Sequence, residues 1–337
     1  MKPFLSVDNL SVEIETSRGL LKVLRNVSFE IDSGASVGIV GESGSGKSMT
    51  LKAVLDLLPS TARYTSGEIY LEGVPLLSKS PKDRRALLAE KIGIIFQDSM
   101  TALNPVLTVG YQIMEAPRFR LGWDKNKARA RAIELMELVG IPEAEKRLNA
   151  YPHQLSGGLR QRIAIAIALA GNPQMIFCDE PTTALDVTIQ AQVLRLLLDL
   201  REKENLGVVF VTHDLAVVNE ICDKLLVMYA GRFIESGEVQ KTFQNPGHPY
   251  TYSLLKSAPD PDVPVHRLFS ILGEPPDLTK PLQGCPFAPR CFAVQDNCLA
   301  SEPPIIDTKG AHAACFHSSE IVKMESLSTI NLSLIHI

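Results

Sequence analysis

Long hydrophobic runs are missing from this chain of 337 residues: the longest, Ile163–Ala170 and Leu206–Val211, fall far below the ~20 apolar residues that a bilayer-spanning helix needs. No spanning segment is expected. Surplus positive charge is missing too. With 34 Lys and Arg against 38 Asp and Glu, the net charge is −4, which excludes a broad basic surface for nucleic acid and leaves only local patches open. The start, Met1-Lys2-Pro3-Phe4-Leu5 followed at once by Asp8 and Asn9, lacks the continuous apolar stretch of a secretory leader, so a cytoplasmic location is expected. There is no internal repeat. Aromatic residues make up only 6%, yet 45% hydrophobic and 21% charged residues are the usage of an ordinary folded protein, neither disordered nor fibrous. This length allows two or three domains, none needing a metal or disulfide merely to fold.

What is present begins with strand signals. Residues 4–14 alternate apolar and polar, and Ala35–Val40 is a short apolar run ending at a glycine. After Gly46 the pattern turns helical through Leu58, where Pro59 and Ser60 stop it. Further strand-length runs occur at Ile92–Phe96, Met175–Cys178, Gly207–Val211 and Leu225–Met228, with helical stretches such as Val187–Lys203 between some of them. Apolar strands separated by helices predict an α/β domain with a largely parallel sheet. Between Gln97 and Ala170 amphipathic helical patterns at Lys125–Val139 and Gly158–Ala170 replace the strands, so this stretch reads as a helical insertion. After Glu238, prolines from Pro246 to Pro281 break the chain too often for long helices.

Three motifs carry chemistry. Gly41-Glu42-Ser43-Gly44-Ser45-Gly46-Lys47-Ser48 fits G-x-x-x-x-G-K-[ST] between a strand and a helix, the context that makes a phosphate loop of what is otherwise a Gly-rich turn. Its backbone N–H groups and the helix N-terminus attract phosphate, Lys47 bridges the terminal phosphates, and the Ser48 hydroxyl ligates Mg²⁺. Met175-Ile176-Phe177-Cys178-Asp179-Glu180 is an apolar strand ending in two carboxylates, one for Mg²⁺ (Asp179) and one to take a proton from an attacking water (Glu180). Alone, the pair is as readily a charged strand cap. Leu155-Ser156-Gly157-Gly158-Leu159-Arg160-Gln161 opens a second helix with exposed N–H groups, a second anion site. One nucleotide has no need of two cradles unless each cradle faces the nucleotide of a partner across a dimer.

The series resembles the nucleotide-binding subunit of an ATP-binding cassette (ABC) transporter, over residues 1 to about 325. Gly41–Ser48 match Walker A, Gln97 the Q-loop glutamine, Leu155–Gln161 the signature motif with Ser156, Gly157 and Gly158, Asp179 and Glu180 Walker B, Ala184-Leu185-Asp186 the D-loop, and His213 the switch histidine. The resemblance implies that Gln97 senses Mg²⁺ and the attacking water, and that His213 contacts the γ-phosphate. By themselves Gln97 is an ordinary surface residue and His213 a strand-end histidine; their places in the series overturn that. It implies an α/β fold: a P-loop NTPase core of ABC type (1–245) with a mostly parallel sheet, an antiparallel β subdomain, a helical subdomain over about 98–170, and a Pro-rich C-terminal extension (246–325). The tail 326–337 has no patterned role, and Leu332–Ile337 resembles vector read-through. One departure is the lack of any aromatic between Glu13 and Leu24, where many cassettes stack adenine; Arg18 is the candidate substitute.

Gln97-Asp98-Ser99-Met100-Thr101-Ala102-Leu103-Asn104-Pro105, Gly247-His248-Pro249-Tyr250-Thr251 and a C-terminal cysteine motif narrow the resemblance to oligopeptide and dipeptide importers. That implies ATP as substrate, Mg²⁺, two permease chains, a second ABC ATPase subunit, an extracytoplasmic binding protein, and a peripheral position on the cytoplasmic face of the inner membrane. Cys178 and Cys222 read as small buried hydrophobes. Cys285, Cys291, Cys298 and Cys315 lack the C-x2-C hairpins usual in zinc ribbons, and four thiolates suit a [4Fe-4S] cluster. The resemblance also points to [4Fe-4S]; Zn²⁺ and bare cysteines are the alternatives. More than a hundred residues beyond Glu180, the motif reads as a structural staple. A rival class, a soluble cassette ATPase acting on nucleic acid or the ribosome, would carry two cassettes or a long coiled coil, and neither is present. A GTPase is disfavoured because Asn126-Lys127-Ala128-Arg129 ends in Arg where base reading needs Asp.

Overall fold

The computed structural model describes residues 2–97, 103–181, 187–257, 269–308, 311–318 and 320–321. The chain forms two compact units, each discontinuous in sequence. One is built from residues 71–211 with short pieces ending at Phe4 and spanning Ile31–Ser36; the other comprises Leu5–Glu30, Val37–Tyr70 and the chain from Thr212 onward.

In the first unit the strand Met175–Asp179 lies between Ile92–Ile95 and Gly207–Val211, and both pairings are parallel. All five residues of Met175–Asp179 and all five of Gly207–Val211 are buried, which is why their sequences run apolar without alternation. The helix Gly157–Ala170 lies directly on the edge strand: a Cβ on Gly93 would come 2.4 Å from the Ala168 carbonyl oxygen. Among the described residues the helical part holds three helices of 11 to 14 residues, Val109–Phe119, Lys125–Leu138 and Gly157–Ala170, with the short Ala144–Arg147 between the last two. Each of the three longer helices starts at a side-chain cap, where Thr108, Asp124 and Ser156 accept from backbone N–H groups of the first turn. Buried Gln112 stitches the preceding loop, accepting from Asn104 N and donating to the Asn104 and Leu107 carbonyls.

The second unit holds two sheets. In one, Ser36–Val40 pairs in parallel with Lys224–Tyr229, which pairs antiparallel with Arg232–Glu238; Ala311–Ala313 and Ile306–Thr308 then extend the edge, both antiparallel. The register of Arg232–Glu238 shifts between Phe233 and Glu235, and the bulge lets the Ile234 carbonyl accept from Ala314 N at 2.7 Å. The other sheet has the order Gly19–Ile31, Leu5–Thr16, Ala62–Leu71, its first two strands joined through Ser17 and Arg18 and so antiparallel. The helix after Gly46 covers Lys47–Val54, shorter than the sequence pattern predicts. It stops before Pro59 because Asp56 adopts φ +57°, and Leu57 N and Asp56 N turn back onto the Lys52 and Ala53 carbonyls, a Schellman closure. Among the described residues no helix is long and apolar enough to cross a membrane.

Candidate nucleotide site and cysteine cavity

The phosphate loop belongs to the second unit. It leaves the buried strand Ser36–Val40 at Gly41 and enters the helix Lys47–Val54 at Gly46. Its glycines are required by geometry: Gly41 has φ +152° and a Cβ there would sit 2.2 Å from the Met228 carbonyl oxygen, while Gly46 has φ +112°. The loop is pinned from outside by Gly231 N, which donates to the Ser45 carbonyl at 2.8 Å. Lys47 is buried, and its ammonium donates to the Gly41 and Glu42 carbonyls at 2.7 and 3.0 Å. The Ser45 hydroxyl is buried without a hydrogen-bond partner, an open position in a cradle whose chemistry suits phosphate. Ser43 and Gly44 are exposed at its rim and Ser48 is half-buried. Thr212 N donates to the Ile39 carbonyl at 3.1 Å, so exposed His213 comes one residue after a backbone bond to the strand that leads into the loop. Asp214 caps the next helix, Leu215–Ile221.

The carboxylates belong to the first unit. Asp179 is buried at the end of its strand. Glu180 is half-buried and turns out of the strand at φ +47°, a conformation that costs a non-glycine residue energy and accumulates at functional positions. Its N–H is held by the Val211 carbonyl at 2.8 Å, and its Oε2 accepts from Gln97 Nε2 at 3.0 Å. The Q-loop glutamine and the candidate base are thus in direct contact. Ser156 caps the helix Gly157–Ala170, its hydroxyl accepting from Leu159 N at 3.4 Å, and Gly157 is exposed with open space around it. Gln161 of this helix is buried and donates to the Pro181 carbonyl at 2.6 Å. That bond ties the signature helix to the turn after Glu180, a connection the sequence does not display. Asp98 and the D-loop residues Ala184, Leu185 and Asp186 lie outside the described residues.

Cys178 and Cys222 are buried, as expected. The other four behave differently. Cys285, Cys291, Cys298 and Cys315 line one small cavity, walled otherwise mainly by apolar residues such as Phe287, Ala288, Ala293 and Ala314, with about 10 Å³ open, at the threshold for one water. No disulfide joins them. Ala293 N donates to Cys291 Sγ and His317 N to Cys315 Sγ. Burial pushes the Cys291 thiol up to about 12, Cys315 to about 11, and Cys285 upward as well, so a cation is needed to hold them as thiolates at neutral pH. Among the described residues no set of three or more His, Cys, Asp or Glu is arranged for a single metal ion.

Glu235 is not marked by any motif, and the His248 motif does not reveal that its ring is buried. Glu235 is buried, and burial raises its carboxyl to about 7; it accepts from Gly247 N at 2.5 Å. His248 is fully buried, its ring held to about 3 by desolvation, and its Nδ1 accepts from Tyr250 N. Both organise the Gly247–Thr251 turn.

The parallel strands, the phosphate loop at a helix N-terminus and the strand-end carboxylates define an ABC-type ATPase. A bacterial ABC transporter cassette solved as a dimer matches 70% of this chain and 98% of its own length, with 30% identity and a TM-score of 0.63. The same cassette, solved as a dimer in a post-hydrolysis state bound to ADP and phosphate, matches at a TM-score of 0.62. The family model "ABC transporter" matches residues 24–183, and "Oligopeptide/dipeptide transporter, C-terminal region" matches 234–298. The oligopeptide transport ATP-binding protein OppD of Bacillus subtilis is 46% identical over 310 residues, 91% of this chain and 87% of the relative. The dipeptide transport ATP-binding protein DppD of Escherichia coli is 45% identical over 301 residues, 89% and 92%. The chain belongs to the ATP-binding subunits of the oligopeptide/dipeptide family of ABC transporters, and its reaction is ATP hydrolysis.

Proposed function

We propose that this subunit powers the uptake of di- or oligopeptides through partner permeases. The observation that carries the reading is the joint match of the cassette and the C-terminal region, with about nine-tenths of the chain aligned to peptide-transport ATPases. In this mechanism the N–H groups of Gly41–Ser48 and the Lys47 ammonium hold the ATP phosphates, while Ser48, Asp179 and Gln97 bind Mg²⁺. Glu180 accepts a proton from the attacking water, and His213 and Asp186 complete the site. Ser156, Gly157 and Gly158 act on nucleotide bound by a second ATPase subunit, so two ATP close the pair and hydrolysis reopens it. Two permeases and an extracytoplasmic binding protein complete the assembly, with this chain peripheral at the cytoplasmic face. The segment from about 98 to 170 is the helical subdomain of a cassette ending near 245, and 246–325 is the extension.

Cys285, Cys291, Cys298 and Cys315 would hold a [4Fe-4S] cluster, whose four Fe–S bonds would cross-link the extension. Support comes from four thiols around one apolar cavity and from N–H groups directed at two of the sulfurs. Zinc is the alternative, less favoured because the cysteine spacing lacks the C-x2-C hairpins usual in zinc ribbons. Anaerobically purified protein should be brown and contain about four irons, and Cys→Ser at any of the four should bleach it. One zinc and no iron would decide for the alternative.

The transport reading is tested in proteoliposomes holding the whole assembly. ATP-dependent accumulation of a labelled di- or tripeptide is expected, and Ser156→Arg in this subunit alone should abolish stimulated turnover without altering ATP binding by the isolated chain. Saturable uptake of another solute with none of peptide would overturn the substrate. Collapse of ATP binding in the isolated variant would overturn action on the partner's nucleotide.

A further inference from the structure

The extension reaches back into the phosphate loop. Arg290 lies in the run Cys285-Pro286-Phe287-Ala288-Pro289-Arg290-Cys291, at the end of a short 3-10 turn, Ala288–Arg290. Its side chain is only 4% exposed. The guanidinium takes the Glu42 carboxylate in a two-point fork, Nη1 to Oε2 at 2.6 Å and Nη2 to Oε1 at 2.8 Å, while its Nε donates to the Leu272 carbonyl at 3.0 Å and Nη1 reaches the Tyr229 hydroxyl at 3.3 Å. Glu42 is the second residue of the phosphate loop, and a second tether holds its backbone: Glu42 N donates to the Tyr250 hydroxyl at 2.7 Å. Tyr250, Tyr229 and Phe287 pack ring against ring at centroid distances of 4.6–5.3 Å, so both tethers grow from one rigid aromatic patch.

A carboxylate in the loop that must receive a polyphosphate is unfavourable, because like charges at close range repel. A bidentate guanidinium neutralises the charge and fixes its position, which a lysine could not do at both oxygens. We infer that Arg290 is a positioning residue of the phosphate loop, neutralising and immobilising Glu42 so that the cysteine-bearing turn of the extension sets the affinity for ATP. The inference rests on reading Gly41–Ser48 as the phosphate site.

The test measures ATP binding by the full chain and KM and kcat in the assembled transporter. Arg290→Ala should raise Kd and KM about tenfold with kcat within twofold, and Arg290→Lys should recover only part of the loss. Adding Glu42→Gln to Arg290→Ala should restore most of the affinity, because the unpaired carboxylate is gone. KM unmoved in Arg290→Ala, or a fall in kcat alone, would reduce Arg290 to a packing role and overturn the inference. If Arg290→Ala does not fold, Tyr250→Phe removes the backbone tether while keeping the ring, and an unchanged KM there would equally overturn it. Lys47→Ala separates the two readings: affinity unmoved in that variant would sink the phosphate-loop assignment itself.

Discussion

Glu180→Gln should cut ATP turnover of the assembled transporter by at least ~10²-fold, the usual worth of a positioned general base, while ATP affinity stays within a few-fold. Glutamine keeps the size of the side chain and an oxygen for Gln97 Nε2, which Glu180 Oε2 contacts at 3.0 Å, but it cannot carry away a proton. Binding should survive because the affinity for nucleotide arises in the phosphate loop. With closure allowed and hydrolysis blocked, ATP should trap a closed pair of ATPase subunits, detectable as a larger species by size-exclusion chromatography. Turnover within a few-fold of wild type would remove Glu180 as the base and leave its left-handed backbone, φ +47°, without a functional reason.

Lys47→Ala acts on the other half of the reaction. The buried ammonium is held by the Gly41 and Glu42 carbonyls at 2.7 and 3.0 Å, on the loop that receives the phosphates. Hydrogen bonds to charged groups contribute about 1.5–3 kcal/mol each, so ATP affinity measured by calorimetry should fall roughly 10- to 150-fold. An affinity within twofold of wild type would mean that the lysine serves only the loop's own carbonyls. The two variants together separate binding from chemistry: one loses affinity, the other turnover.

Much of this was legible from the residues. The strands Met175–Asp179 and Gly207–Val211 announce themselves because burial on both faces leaves an unbroken apolar run, and the glycines of the phosphate loop because only glycine tolerates Gly41's approach to Met228. The strand Arg232–Glu238 is hidden by its composition, since Glu235 is buried inside it and the bulge after Phe233 breaks the alternation. Helix ends depend on local backbone geometry: Pro59 looks like the stop after the first helix, yet Asp56 closes it earlier. Least visible are bonds between distant residues. Gln161 to Pro181 and Arg290 to Glu42 join motifs that each read as complete, so nothing in either motif advertises a missing partner. The cysteine motif looked remote from nucleotide chemistry for that reason.

That last pair also has a calendar. Arg290 is 248 residues downstream of Glu42, and Ser36–Val40, the strand that launches the phosphate loop, waits for its parallel neighbour Lys224–Tyr229. At ~5–20 residues per second of synthesis, the loop emerges roughly 12–50 s before the arginine that grips it. Until Lys224–Tyr229 emerges the nascent chain carries a glycine-rich segment with no parallel neighbour for its strand, and until Arg290 emerges Glu42 lacks the guanidinium that pairs with it. A chain truncated just before Arg290 therefore carries every Walker residue but not the guanidinium that grips Glu42, which makes the end of the chain a check on its beginning.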